Sequence, residues 1–168
     1  MLTTRLLLVG TITLALVGGL SAAVMAQDAE SATADLVAAT EANETANLDA
    51  FFAQDLDAIM ATYAEDAIFD DQTFGDYLEG NAAVRGMYGP VLRMTDADAT
   101  ELLDRFVSAD GSRAVLVERW IGTNYLGAPF DLPIVLIHEY RDGKIAKESI
   151  YYAAWDTHDQ LTRSPSTQ

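Results

Sequence analysis

Hydrophobic and polar positions along this chain change period once, near residue 98. Before that point apolar residues recur at helical spacing. After it they alternate. Residues 34–52 are alanine-rich, contain Leu36, Leu48, Phe51 and Phe52, and lack proline and glycine, which predicts a helix. After a break at Gln54-Asp55, Leu56, Ile59, Met60, Tyr63 and Ala64 repeat at i, i+3, i+4, i+7 and i+8, with Asp55 as N-cap. A short strand is expected at Ala67 to Phe69. A third helix is expected from Asn81 through Val84, Met87 and Tyr88, with Pro90 placed to interrupt it before Met94. Four strands follow, over 100–107, 112–125, 130–141 and 144–155, joined at Asp110-Gly111, Gly127-Ala128-Pro129 and Asp142-Gly143. Helices followed by an antiparallel meander predict an α+β domain in which helices pack on one side of a curved sheet.

The Asp142-Gly143 pair sets the register of the last hairpin. A two-residue turn there puts Tyr140 opposite Ile145, His138 opposite Lys147, Leu136 opposite Ser149 and Ile134 opposite Tyr151. Cross-strand partners share a face. One face is then Ile134, Leu136, His138, Tyr140, Ser149, Tyr151 and Ala153. The other is Val135, Ile137, Glu139, Ile150 and Tyr152. Neither is plainly polar, so both are expected to be covered.

The first 26 residues read as a targeting segment. Arg5 supplies a positive start, residues 6–20 an apolar run, and Ser21 to Ala26 small residues for cleavage after Ala26. The expected organisation is a signal peptide at 1–26, a flexible leader at 27–33, one domain at 34–161 and a disordered tail at 162–168. A secreted or periplasmic protein follows, without stable membrane association once the signal is removed. The chain carries 10 Lys+Arg against 26 Asp+Glu, a net charge of −16, and no cysteine. So acidic a domain repels nucleic acid and anionic membranes. Without cysteine there is no disulfide framework, thiol nucleophile or thiolate zinc site.

Three separated stretches resemble one known family. Asp55 to Asp70 (DLDAIMATYAEDAIFD), Gly80 to Arg85 (GNAAVR) and the ending DGKI, Tyr151-Tyr152 and Gln160-Leu161 are similar to the SnoaL-like polyketide-cyclase domains of the nuclear-transport-factor-2-like superfamily. The resemblance spans roughly Val37 to Leu161. It implies a cone-shaped fold, a curved antiparallel sheet wrapped around N-terminal helices with a deep apolar cavity at its open end. It also implies a catalytic aspartate after the paired aromatics. Ala153 stands there in this chain.

Candidate chemistry follows from the polar residues on that expected inner face. His138 sits among Ile134, Leu136 and Ile137 and can shuttle protons near neutral pH, or serve as a core histidine with one hydrogen bond. Glu118 shares its strand face with Leu116 and Trp120, where burial would raise its pKa. Tyr151 is the third catalytic candidate, as a hydrogen-bond donor. Tyr63, Tyr88, Trp120, Leu136, Ser149 and Ala153 are expected to line the pocket. Asp70 and Asp71 read as a solvated turn. Two unpaired histidines give no metal site, and no glycine-rich phosphate loop or nucleophile elbow is present, so no cofactor is expected. Three readings stay open: a cofactor-independent isomerase, cyclase or hydrolase acting on a small hydrophobic carbonyl compound, a non-catalytic small-molecule pocket, and a homodimer contact through Val135, Ile137, Ile150 and Tyr152.

Overall fold

A computed structural model describes the backbone of residues 13–165 and the side chains of residues 25–165. Residues 1–12 and 166–168, which hold the start of the expected signal and the end of the expected tail, lie outside the described residues. Helix α1 (Thr13–Phe52) runs through the expected cleavage point, and residues 27–33 are helical and exposed. Then come α2 (Leu56–Ala61), β1 (Tyr63–Asp71), β2 (Tyr77–Glu79), α3 (Asn81–Met94), β3 (Glu101–Val107), β4 (Arg113–Thr123), β5 (Pro129–Arg141), β6 (Lys144–Tyr152) and α4 (Ala154–Thr162). Among the described residues no helix is long and apolar enough to cross a membrane.

The six strands form one curved, unclosed sheet in the order β2-β1-β6-β5-β4-β3, antiparallel except where β1 lies parallel to β6. Helices and meander therefore stand in the expected α+β arrangement. Asp55 caps α2, its side chain accepting from Ala58 N. That helix stops at Ala61, and Tyr63 opens a strand instead of closing a helical stripe. Helix α3 passes through Pro90 to Met94 without a stop. The last strand ends at Tyr152, three residues before the expected limit, and α4 replaces its end. The paired Gln-Leu near the chain's end explains where α4 goes. Gln160 bonds both backbone groups of Asp131 on β5, and Leu161 reaches the cavity.

One irregularity decides which side chains face inward. Asp142 and Gly143 both take positive φ (52° and 71°), and Tyr140 pairs with Ile145 as expected. A bulge at Glu139/Tyr140 then leaves Ala146 without a partner, and the register slips by one. His138 lies opposite Glu148, Leu136 opposite Ile150 and Ile134 opposite Tyr152. Because side chains alternate with period two, the slip exchanges the faces of β6. Glu148, Ile150 and Tyr152 point at the cavity side, and Ser149 and Tyr151 point away. The core divides around this surface. Ile59, Tyr63, Phe69, Val84, Tyr88 and Ile145 anchor one cluster, and Leu116, Trp120, Phe130, Leu132 and Leu136 another.

Candidate functional site

Between the helices and the inner sheet face lies a cavity of about 230 Å³. At ~30 Å³ per water it holds roughly eight water volumes, room for a small organic molecule. Its walls are mainly apolar: Leu48 and Phe51 from α1, Met87 and Val91 from α3, and Ile134, Leu136 and Ile150 from the sheet. Trp120 and Phe69 add rings. The polar wall groups include Asn47, Asp71, Asp76, Tyr88, Glu118, Glu148 and Tyr152.

Glu118 is placed by the alternation of β4, where Ala114, Leu116, Glu118 and Trp120 are buried on one face. The residue is 4% exposed and lines the cavity. Among the described residues it takes no hydrogen bond and no ion pair. Burial pushes its pKa up; His138 pulls it back in part, Glu148 and Glu44 push it further, and it comes to about 7.

Behind this wall stands a buried charged chain. His138 Nδ1 donates to Glu44 Oε1 at 2.7 Å, and Tyr140 donates to the same oxygen at 2.7 Å. His138 Nε2 faces Glu148 Oε2 at 3.8 Å and has no hydrogen-bond partner among the described residues. Burial alone would discharge the His138 ring, but Glu44, then Glu148 and Glu118, hold its pKa above the ordinary value. Burial alone would raise the Glu44 carboxyl, yet the facing ring, with Tyr140, brings it below the usual range. Glu148 Oε2 accepts from Tyr63 and from Tyr88 (2.7 Å), whose oxygens lie 2.8 Å apart. Burial, then the Glu148 charge, raises both phenols far above their normal range, so each keeps its proton for that bond.

At the opposite end Asp71 is buried, not a solvated turn residue. Its Oδ1 accepts from the backbone of Thr73 and Phe74, and its Oδ2 from Tyr152. Burial, then that bond to Asp71, raises the Tyr152 phenol.

The structure brings Glu118, Tyr88, Trp120 and Leu136 to one cavity. It places His138 one layer behind the wall, 1% exposed. Tyr63 lies in the same rear layer. Tyr151 is 42% exposed on the outer face, Ser149 is buried on that same face, and Ala153 is an exposed cap of α4. Tyr151 and Ser149 leave the pocket because of the single-residue slip at Ala146, and Ala153 because the strand ends at Tyr152 and α4 begins there. Ile150 and Tyr152, expected in an outer contact face, line the cavity for the same reason.

Sequence reasoning missed Glu44 and Glu148. Glu148 was hidden by the slip. Glu44 belongs to the stripe Thr40, Glu44, Asn47 and Leu48, which has helical spacing and is buried but is mostly polar. Among the described residues no group of three or more histidine, cysteine or acidic side chains could hold a metal ion.

A family model described as the SnoaL-like domain matches residues 45–148, more than half of the chain. A candidate polyketide cyclase from Pseudomonas putida is 27% identical, the match covering 74% of this chain and 98% of that one, with a TM-score of 0.57. A second candidate polyketide cyclase, from Xanthomonas campestris, is 22% identical over 76% of this chain and 99% of that one, with a TM-score of 0.62. A protein of ketosteroid isomerase-like fold from Catenulispora acidiphila, solved in complex with trimethylamine, is 19% identical over 71% of this chain and 91% of that one, with a TM-score of 0.60. Among curated proteins nothing matches.

Proposed function

The chain belongs to the SnoaL-like domain family, and from that membership we propose that its cavity takes up a small, largely apolar organic molecule and moves a proton on it. The observation that carries this is the Glu118 carboxyl, which faces the cavity without a partner and has a pKa of about 7. Near neutral pH it is present in both forms, which suits a general acid or base. Glu148, which lines the same cavity from β6, two strands away, is held as an acceptor by Tyr63 and Tyr88. Two carboxyl groups in different surroundings divide the roles of proton donor and proton acceptor. On a carbonyl compound, neutral Glu118 would donate to the oxygen while Glu148 receives the proton from the adjacent carbon. His138 and Glu44 act from behind as positioning residues, fixing Glu148 and the charge that sets Glu118.

Deuterium exchange into the carbon positions beside the carbonyl of 4-phenylbutan-2-one, followed by proton NMR, tests this. Exchange above the buffer rate is expected, with a rate profile that bends near pH 7. Exchange no faster than buffer while the ketone binds would favour the second reading, a non-catalytic pocket, which Ala153 at the position of the family's acid supports.

Two further parts of the proposal concern its setting. Arg5, the apolar run and the small residues before Ala26 support export to the periplasm or exterior. The half-buried outer row Val115, Val117, Val135 and Ile137 suits contact with a second copy.

A further inference from the structure

We infer that the cavity selects an organic cation, an ammonium or related nitrogen centre on an apolar body, with Glu118 as its counter-ion. The inference rests on the proposal above only in taking the cavity as a ligand site, not in the catalysis.

The first ground is which polar groups the wall leaves free. Its donors are engaged inside the protein, apart from the second amide hydrogen of Asn47. Tyr88 donates to Glu148, Tyr152 to Asp71, Trp120 Nε1 to Thr95 Oγ1 at 2.8 Å, and Asn47 Nδ2 to Thr62 Oγ1 at 2.8 Å. The remaining charged wall groups are Asp71, Asp76, Glu118 and Glu148, and no lysine, arginine or histidine joins them. A bound oxyanion would meet carboxylates without a cation to offset them. A bound cation would meet acceptors.

Charge in the floor is the second ground. Three buried carboxyl groups, Glu44, Glu118 and Glu148, face one imidazole, His138, so one positive charge cannot match them. Glu118 is the group left over: 4% exposed, unpartnered among the described residues and lining the cavity. The rings of Phe51, Phe69, Tyr88, Trp120 and Tyr152 line the same space. Aromatic faces attract a desolvated cation, with tryptophan the strongest. The net charge of −16 adds a field that draws cations toward the protein.

A pH dependence follows. The titratable groups facing Glu118 are Glu44 from α1, Tyr88 from α3, His138 from β5 and Glu148 from β6. A cation in the cavity favours ionised Glu118, so binding near pH 7 releases a proton.

Isothermal titration with benzyltrimethylammonium, 4-phenylbutan-2-one and 3-phenylpropionate, probes of similar size but different charge, tests the inference. At pH 8 the cation is expected to bind at least ~10-fold more tightly than the ketone, and the carboxylate weakest. Cation affinity should fall several-fold from pH 8 to pH 6, with proton release visible in buffers of different ionisation heat. Glu118→Gln should weaken the cation far more than the ketone and abolish the pH dependence. If that variant does not fold, judged by its thermal midpoint, the pH dependence of the unaltered protein decides. Tighter binding of ketone or carboxylate would overturn the cation while leaving the pocket standing. Binding of none of the three would overturn both.

Discussion

Glu118→Gln is expected to lower proton-transfer turnover by about 10²–10⁴-fold, the usual contribution of a positioned acid or base, and to make the protein more stable at the same time. The two effects share one cause. The ordinary carboxyl pKa is 4.5 and that of folded Glu118 is about 7, because burial and then the charges around it disfavour ionisation. The folded state therefore holds this proton more tightly than the unfolded chain. Stability from this group is complete below about pH 4.5 and is lost as pH rises through 7. At ~1.4 kcal/mol per pKa unit the loss above pH 7 is about 3 kcal/mol. Glutamine has the same shape and no charge, so it avoids that loss. Urea denaturation should show the variant more stable than the parent at pH 8, with the gap closing toward pH 5. A variant that keeps its turnover, or that is no more stable than the parent at pH 8 as well as at pH 5, would remove Glu118 from the site. Activity held at the expense of stability is a common trade at catalytic positions.

His138→Leu is expected to destabilise the fold by about 3–5 kcal/mol. Removing one member of a buried charged set leaves the others uncompensated. Here Glu44 loses a 2.7 Å partner and Glu148 loses the ring 3.8 Å from it. The pH signature differs from that of Glu118→Gln. The folded pKa of His138 lies above 6.5, so its contribution is full below that value and fades as pH rises through the folded one. Denaturation midpoints should therefore separate most from the parent near pH 6 and converge in alkali. Adding Glu44→Met to His138→Leu should recover part of the loss, because the second change removes the stranded carboxylate. A leucine variant as stable as the parent at pH 6 would mean that the ring carries no charge.

Much of the architecture was legible because the apolar period is plain. Strand β4 pairs with β5 over eleven successive residues without a bulge, so alternation alone puts Glu118 beside Leu116 and Trp120. The three family stretches likewise mark α2 with β1, the start of α3, and the end of β6. Two features were not legible. Ala146 bulges out one residue after Ile145, and nothing in KIAKESIYY marks that position, since both faces of the strand carry apolar residues. The slip moved Glu148 and Tyr152 to the cavity and Tyr151 and Ser149 away from it. The inward face of α1 was also hidden. Thr40, Glu44 and Asn47 are buried by their hydrogen bonds to Gly111, His138 and Thr62, partners that lie far along the chain or in another element. A search for apolar periodicity passes over such a stripe. The short strand β2 escaped for a different reason, having three residues that remain largely exposed.

The group on which the chemistry turns can be observed directly. With glutamate carboxyl carbons labelled with carbon-13, an NMR pH titration, assigned by the resonance missing from Glu118→Gln, reads the proton on Glu118 itself. A midpoint near 7 is the expected result, shifting downward when benzyltrimethylammonium is added. A midpoint in the ordinary carboxylate range of 4 to 5, unmoved by the cation, would contradict a buried and unpartnered carboxyl poised for proton transfer.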